Sequence, residues 1–344
     1  MSDLERIVEI LRAAPSVAVL AHVSPDTDSI GATLGAALAL REAGKVTGEY
    51  NADPLPPELL SLPGATDLRR EMQSGQTYAC YLVLDTSNLE RTGGLLSGRP
   101  AGAVVLNVDH HASNSRFGDV NWVEPEASSA GEMVYRILRR GGFPIGKAVA
   151  TNLYAAILAD TGSFQYGNAT PESLRVAADL VECGAAVEDV ARWLYGSRDP
   201  REWHLLSEVL ASLRLSRDGR VAWIEVTCAA QSRAGLGLEV SEDFVNYVRA
   251  IRGVEIAIAF KEVSPTTVKV SFRSRGGLDV TRLAGQFGGG GHRNAAGCTL
   301  SGGLTEARAR VLEAAQAYLI SMCDCRFSIE RQSAIENLKS KIEP

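Results

Sequence analysis

The sequence predicts an α/β protein, with a parallel-sheet first half followed by a smaller α+β second half. Three observations predict it. In the first half, short runs of apolar β-formers alternate with helical patterns, the signature of βαβ units. Three of those runs stop at metal-ligand side chains: residues 16–21 reach His22, residues 81–84 reach Asp85, and residues 103–108 reach Asp109, His110 and His111. In the second half, strand-like runs at 221–226, 254–260 and 267–272 follow one another closely, with one helix opening at Ser241 between the first two.

Taken in order, residues 4–11 are apolar at helical spacing, Ser2 and Glu5 stand at capping-box spacing, and Pro15 is the stop. The strand at 16–21 leads through His22-Val-Ser-Pro-Asp26-Thr-Asp28 into a helix of small residues over 29–40, which Gly44 ends. A loop with Pro54, Pro56, Pro57 and Pro63 precedes the strand at 81–84. Residues 128–138 form a helix closed by Gly141 and Gly142, and a further helix over 147–159 delivers Asp160. Thr170 and Pro171 start a helical stretch that runs to about Leu213, broken at Gly184 and at Asp199-Pro200. The domain boundary falls in that stretch. Residues 279–287 are helical and run into Gly288-Gly-Gly-Gly-His292; a last helix spans 305–319, and a polar tail follows Met322.

With 45% apolar and 22% charged residues the chain reads as an ordinary globular protein. A net charge of −6 excludes a protein that coats long nucleic acid by bulk electrostatics, but not a local phosphate site whose sign bound cations reverse. The first residues open an amphipathic helix rather than a secretory signal, and no apolar run approaches the ~20 residues that span a bilayer. Cys80, Cys183, Cys228 and Cys298 are scattered among apolar neighbours and read as reduced thiols; Cys323 and Cys325 form a weak C-x-C signal. A cytoplasmic protein with no membrane contact is expected.

The chain holds five histidines, and two of them are adjacent. Chance gives an adjacent pair about 0.06 times in such a chain. Carboxylates at the end of a hydrophobic strand resist burial unless a cation offsets their desolvation. A lone aspartate there is usually a cap or turn residue. The combination of His22, Asp26, Asp28, Asp85, His110 and Asp160 is not so easily explained. Two imidazoles and four carboxylates suit Mn²⁺, Fe²⁺ or Mg²⁺. Their number suits two ions that share a bridging carboxylate, an arrangement used for in-line displacement at phosphorus. In the second half, the glycine run exposes backbone N–H groups, and Arg273 stands at a strand end near His292 and Arg293. A flexible loop would explain the glycines alone; the basic neighbours favour phosphate recognition.

Read together, His22-Val-Ser-Pro-Asp-Thr-Asp-Ser-Ile-Gly31, Asp85, Asp109-His-His-Ala-Ser-Asn114, Asp160-Thr-Gly162, Phe272-Arg-Ser274 and residues 288–297 resemble the motifs of the DHH phosphoesterase superfamily, in the family's order. Within it the chain is most similar to the NrnA-type bifunctional oligoribonucleases, or nanoRNases, which also dephosphorylate 3′-phosphoadenosine 5′-phosphate (pAp). The resemblance covers roughly residues 4–320. It implies a DHH catalytic domain at 1–195, a helical linker at 196–214, a DHH-associated substrate-binding domain at 215–322 and a polar tail at 323–344. It implies further that His22, Asp26 and Asp85 hold one divalent cation, and that Asp28, Asp85, His110 and Asp160 hold a second. Mn²⁺ comes first among the candidates, before Mg²⁺ and Fe²⁺. His111 would face the scissile phosphate, and Asp109 would orient it. Arg273, Ser274, Gly289, Gly290, Gly291 and His292 would grip the substrate, which would be short single-stranded RNA (short DNA being the alternative) or pAp.

The oligomeric state stays open, a homodimer included. Rival readings within the superfamily are a RecJ-like exonuclease on single-stranded DNA and a phosphodiesterase for cyclic or linear dinucleotides. The acidic chain and the lack of an added oligonucleotide-binding domain stand against the first. The C-terminal glycine-histidine motif points away from a manganese pyrophosphatase. A catalytically inactive nucleotide-binding regulator is the reading from another class, and six filled ligand positions argue against it.

Overall fold

Ser2 starts the first helix as expected: its hydroxyl accepts from the Glu5 N–H while the Glu5 carboxylate returns to the Ser2 N–H. The computed structural model describes residues 1–73, 75–196, 198–241, 243–275 and 278–339; within its elements, the side chains of Leu238, Glu239, His292 and 323–339 lie outside that description. The chain divides into two compact units, Met1–Ser197 and Arg198–Pro344.

The first unit runs α1 (Asp3–Ala13), β1 (Ser16–Leu20), α2 (Thr27–Glu42), β2 (Val46–Tyr50), β3 (Cys80–Leu84), β4 (Val104–Asp109), β5 (Val120–Val123), α3 (Ala130–Gly141), α4 (Lys147–Asp160), α5 (Pro171–Glu182) and α6 (Val187–Tyr195). Its five strands are all parallel, in the order β2-β1-β3-β4-β5. The parallel sheet expected from the alternating pattern is therefore present. Two of its strands carry no sequence signal strong enough to find. β2 and β5 lie at the two edges, and Gly48, Glu49 and Asn121 interrupt their apolar character. Pairing to a buried neighbour, not intrinsic propensity, makes them strands.

The small residues of α2 do what their size allows. A Cβ on Gly31 would stand 2.6 Å from the Asn152 carbonyl oxygen of α4, and one on Gly35 would stand 2.6 Å from a Leu153 methyl. The two helices thus pack closely along Gly31 and Gly35, with no room for a side chain between them. Gly31→Ala should lower stability by about 1–3 kcal/mol through overpacking. An unchanged melting temperature would show that α4 can move away without cost.

The second unit runs α7 (Pro200–Ala211), β6 (Arg214–Leu215), β7 (Val221–Val226), α8 (Cys228–Ala234), α9 (Val245–Arg249), β8 (Ile256–Ser264), β9 (Thr267–Ser274), α10 (Thr281–Gly285), β10 (Gly290–His292), β11 (Ala295–Ser301) and α11 (Leu304–Lys339). Its sheet is mixed, in the order β10-β11-β9-β8-β7-β6, with β7 and β8 as the parallel pair. Period-two alternation serves two cores. Ala222, Ile224 and Ala257 pack with Leu205, Leu206, Val209 and Phe244, while Ile256, Ile258 and Phe260 pack with Leu283, Val311 and Ala315. The segment 196–214, expected to link the halves, carries α7, and α7 supplies core residues to this second unit.

The glycine run is not the flexible loop that its glycines alone would allow. α10 stops at Gly285, and Gly290–His292 forms the edge strand β10 of an antiparallel pair with β11. Gly289 and Gly291 are glycines for packing: their Cβ atoms would stand 2.1 Å from the Gly297 carbonyl and 2.5 Å from the Ala295 carbonyl. The last helix, expected over 305–319, continues to Lys339. The side chains of Cys323, Cys325 and the rest of the expected polar tail lie outside the described residues. The other four cysteines are free thiols; Cys80 and Cys298 are buried, Cys183 and Cys228 half-buried. No helix among the described residues is long and apolar enough to cross a membrane.

Candidate metal centre

Three adjacent strands of the parallel sheet end at the histidines and aspartates that the sequence singles out. β1 stops two residues before His22, β3 stops at Asp85, and β4 ends on Asp109 with His110 and His111 immediately after it. The strand order reverses between β1 and β3, so His22 and Asp85 meet at the topological switch point, where open α/β sheets place their ligands. Two helices bring the rest. Asp26 caps α2 with one carboxylate oxygen on the Ser29 N–H, Asp28 lies in the first turn of α2, and Asp160 is the last residue of α4.

His22 and His110 are built alike. Nδ1 of His22 lies 2.8 Å from the Val23 carbonyl, and Nδ1 of His110 lies 3.3 Å from the Ala127 carbonyl. A carbonyl only accepts, so in each ring Nδ1 donates and Nε2 turns to the carboxylates, the arrangement of a metal-ligating histidine. Nε2 of His22 is 3.2 Å from Asp85 Oδ2 and 3.7 Å from Asp26 Oδ2. Nε2 of His110 is 3.4 Å from Asp85 Oδ1, 3.7 Å from Asp28 Oδ2 and 3.9 Å from Asp160 Oδ2.

His111 is built differently. Its Nδ1 donates to Asp109 Oδ1 at 2.8 Å, and its backbone N–H donates to the same oxygen. Nδ1 of His111 also lies 3.4 Å from Asp85 Oδ1, but an atom that donates to Asp109 cannot bind a cation at the same time. The other Asp109 oxygen accepts from Asn114 at 2.6 Å. The adjacent histidines of the sequence therefore share Asp85 Oδ1 as a neighbour but differ in the partner of Nδ1, a backbone carbonyl for His110 and the Asp109 carboxylate for His111.

The donor sets fit divalent cations. Ligand atoms of His22, Asp26 and Asp85 lie within 4.8 Å of one another, and so do those of Asp28, His110 and Asp160. Burial, then the nearby Asp85 and Asp160 charges, raises Asp28 well above the usual carboxylate range; burial first, with Asp85 and Asp26 against His110, brings Asp160 to about 6. Asp85 is held well below that range because the His110 and His22 rings overcome its burial. Its Oδ1 is buried without a hydrogen bond among the described residues. A cation placed among these groups turns repulsion into attraction.

Burial opposes charge on His22 and His110, yet Asp26 and Asp85 push His22 up to about 11, and Asp85, Asp160 and Asp28 raise His110. Both rings thus hold a proton more tightly than a free imidazole until a cation displaces it. Loading with Mn²⁺ should release protons, and affinity should rise with pH. Metal addition to the protein in dilute buffer with a pH indicator checks this; no acidification would mean that the imidazoles do not ligate.

This geometry can be set beside known proteins. The DHH family's N-terminal domain matches residues 16–157, and the DHHA1 domain matches residues 225–321. The chain is 35% identical, over 91% of its length and 93% of the relative's, to a Thermus thermophilus protein named bifunctional oligoribonuclease and PAP phosphatase NrnA. It belongs to the DHH family. The Bacillus subtilis protein of the same name is 28% identical over 81% of this chain and 87% of that one. The crystal structure of an exopolyphosphatase-related protein from Bacteroides fragilis superposes with a TM-score of 0.84 at 27% identity, covering 92% of this chain and 96% of that one.

In the DHHA1 part of this DHH-family chain, Arg273 lies on β9, and its Nη1 donates to the Phe272 carbonyl. Ser274 is buried, with its hydroxyl within hydrogen-bond distance of the Leu278 carbonyl and Asn294 Oδ1. Gly290 and Gly291 stand on the edge strand β10 and Gly289 just before it; the His292 side chain lies outside the described residues.

Some neighbours of these residues carry no role in the sequence pattern. Asn114 holds Asp109, and Asn168 lies 3.2 Å from Asp160 Oδ2. The N–H groups of Ala130 and Gly131 hold both oxygens of Asp28, at 2.7 and 2.9 Å. Asn114 stands three residues after His111 and could have been singled out on spacing. Asn168 and the start of α3 have no pattern to betray them, since only the fold brings them near.

Proposed function

We propose that the chain is a metal-dependent phosphoesterase that hydrolyses short oligoribonucleotides to mononucleotides and pAp to AMP. The relatives named as oligoribonuclease and PAP phosphatase, which match nearly the whole chain, support the substrate class. The observation that carries the chemistry is Asp85: one oxygen is 3.2 Å from His22 Nε2, the other 3.4 Å from His110 Nε2, so a single carboxylate serves both donor sets.

In this reading His22, Asp26 and Asp85 hold one cation, and Asp28, Asp85, His110 and Asp160 hold the other. Two divalent cations, Mn²⁺ foremost with Mg²⁺ or Fe²⁺ as alternatives, would supply Lewis-acid charge at phosphorus and lower the pKa of the attacking water. Asp109 fixes the ring of His111, which faces the scissile phosphate and offsets charge that develops there. Arg273, His292 and the backbone of Gly289, Gly290 and Gly291 bind a substrate phosphate, and Ser274 holds the turns at Leu278 and Asn294 that flank them. The free thiols agree with a cytoplasmic setting.

The test is the full chain with Mn²⁺ against a dinucleotide, longer single strands of RNA and DNA, pAp and a cyclic dinucleotide in parallel. The dinucleotide and pAp should exceed the long strands in kcat/KM by about tenfold or more. Preference for long DNA would favour a RecJ-like exonuclease, and preference for the cyclic dinucleotide the phosphodiesterase reading. No turnover with cations bound would leave the regulator.

A further inference from the structure

One five-residue segment, Ala127 to Gly131, holds His110 and Asp28 directly and reaches Asp160 through Asn168. The Ala127 carbonyl lies 3.3 Å from Nδ1 of His110. The Ser128 carbonyl accepts from Asn168 Nδ2 at 2.9 Å, and the same nitrogen reaches the Asp160 carbonyl at 3.1 Å and Asp160 Oδ2 at 3.2 Å. The N–H groups of Ala130 and Gly131, at the start of the 12-residue helix α3, hold both oxygens of Asp28. His110, Asp160 and Asp28 come from a strand end, a helix end and a helix start far apart in sequence, and this segment joins them, with Asn168 as the link to Asp160.

The segment is itself held firmly. Ser129 caps α3 through the Glu132 N–H, while the buried Glu132 carboxylate accepts from both the Ser128 N–H and the Ser128 hydroxyl. Gly131 admits no side chain: a Cβ would stand 2.5 Å from the Ala156 Cβ of α4. Asn168 closes the loop after Asp160, in which Gly162, Ser163 and Phe164 follow one another with φ near +55° to +60°. Left-handed backbone at two consecutive non-glycine residues persists only where surrounding contacts impose it. The other donor set is held by different groups: His22 by the Val23 carbonyl, Asp26 by the Ser29 N–H.

We infer that Asn168 is a positioning residue which, with the segment from Ala127 to Gly131, sets the geometry of the Asp28, His110 and Asp160 cation site and not of the His22 and Asp26 site. This rests on the two-cation reading above. Groups that orient metal ligands typically carry a 10- to 100-fold share of metal affinity.

The test is Mn²⁺ binding to the full chain, read from the electron paramagnetic resonance of free Mn²⁺. The wild type should bind two ions. Asn168→Ala should retain one with unchanged affinity and bind the second about 10- to 100-fold more weakly. The melting temperature of the metal-free variant should match the wild type. If Asn168→Ala does not fold, Asn168→Ser, which shortens the side chain by one atom and keeps it polar, should show the same selective loss. Equal weakening of both ions, or two unchanged affinities, overturns the inference while the two-cation reading stands. A wild type that binds a single ion overturns that reading and this inference with it.

Discussion

Asp85→Asn should leave the protein folded, bind less than half the metal of the wild type and hydrolyse dinucleotide about 10³- to 10⁵-fold more slowly. The size of the effect follows from position. Asp85 is buried at the end of the central strand β3, between His22 and His110, and its two oxygens face different rings. Its backbone is left-handed, with φ of +51°. Asparagine tolerates that conformation as aspartate does, whereas alanine would add strain of its own. The substitution therefore removes charge and leaves shape and backbone nearly as they were. Both donor sets lose their shared anion at once, and His22 and His110 lose the carboxylate that faces both. Metal analysis beside single-turnover hydrolysis separates the outcomes: full occupancy with lost activity would deny Asp85 its bridging role.

The parts of this site that the sequence disclosed are those in which a chemical group ends an apolar run. His22, Asp85 and the Asp109-His110-His111 triplet were legible because a buried strand cannot end in such groups without partners. Asp160 was legible only as one member of a set, because a single aspartate after a helix is common. The edge strands β2 and β5 were not legible, since short polar strands owe their conformation to a neighbour distant in sequence. The pairing of the glycine run was not legible for a related reason. A string of glycines reads as freedom, but at Gly289 and Gly291 it meets the carbonyls of a paired strand, a contact that only the three-dimensional register creates. Asn168 and the start of α3 were invisible for the same cause. Their role lies in backbone groups and a lone amide, and neither leaves a mark in composition or spacing.

His111→Ala should keep both cations and lose about 10²- to 10⁴-fold in kcat, with little change in KM. The neighbouring His110→Ala should instead lose metal, although one peptide bond separates the two. The contrast arises at Nδ1. In His110 that atom meets a backbone carbonyl and Nε2 meets three carboxylates; in His111 it donates to Asp109, which makes Nε2 the atom presented to a substrate. Burial opposes a charge on His111, but the Asp109 carboxylate, with Asp85, raises its pKa above the ordinary imidazole value. In the proposed role the protonated ring is the active form, so activity is lost as pH rises through that pKa. Asp109→Asn removes the anion and lowers the pKa, which moves the alkaline limb of the kcat profile to lower pH while the metal content stays whole. An alkaline limb that stays in place in Asp109→Asn would mean that Asp109 acts only through packing. Metal loss in His111→Ala would exchange the roles of the two histidines.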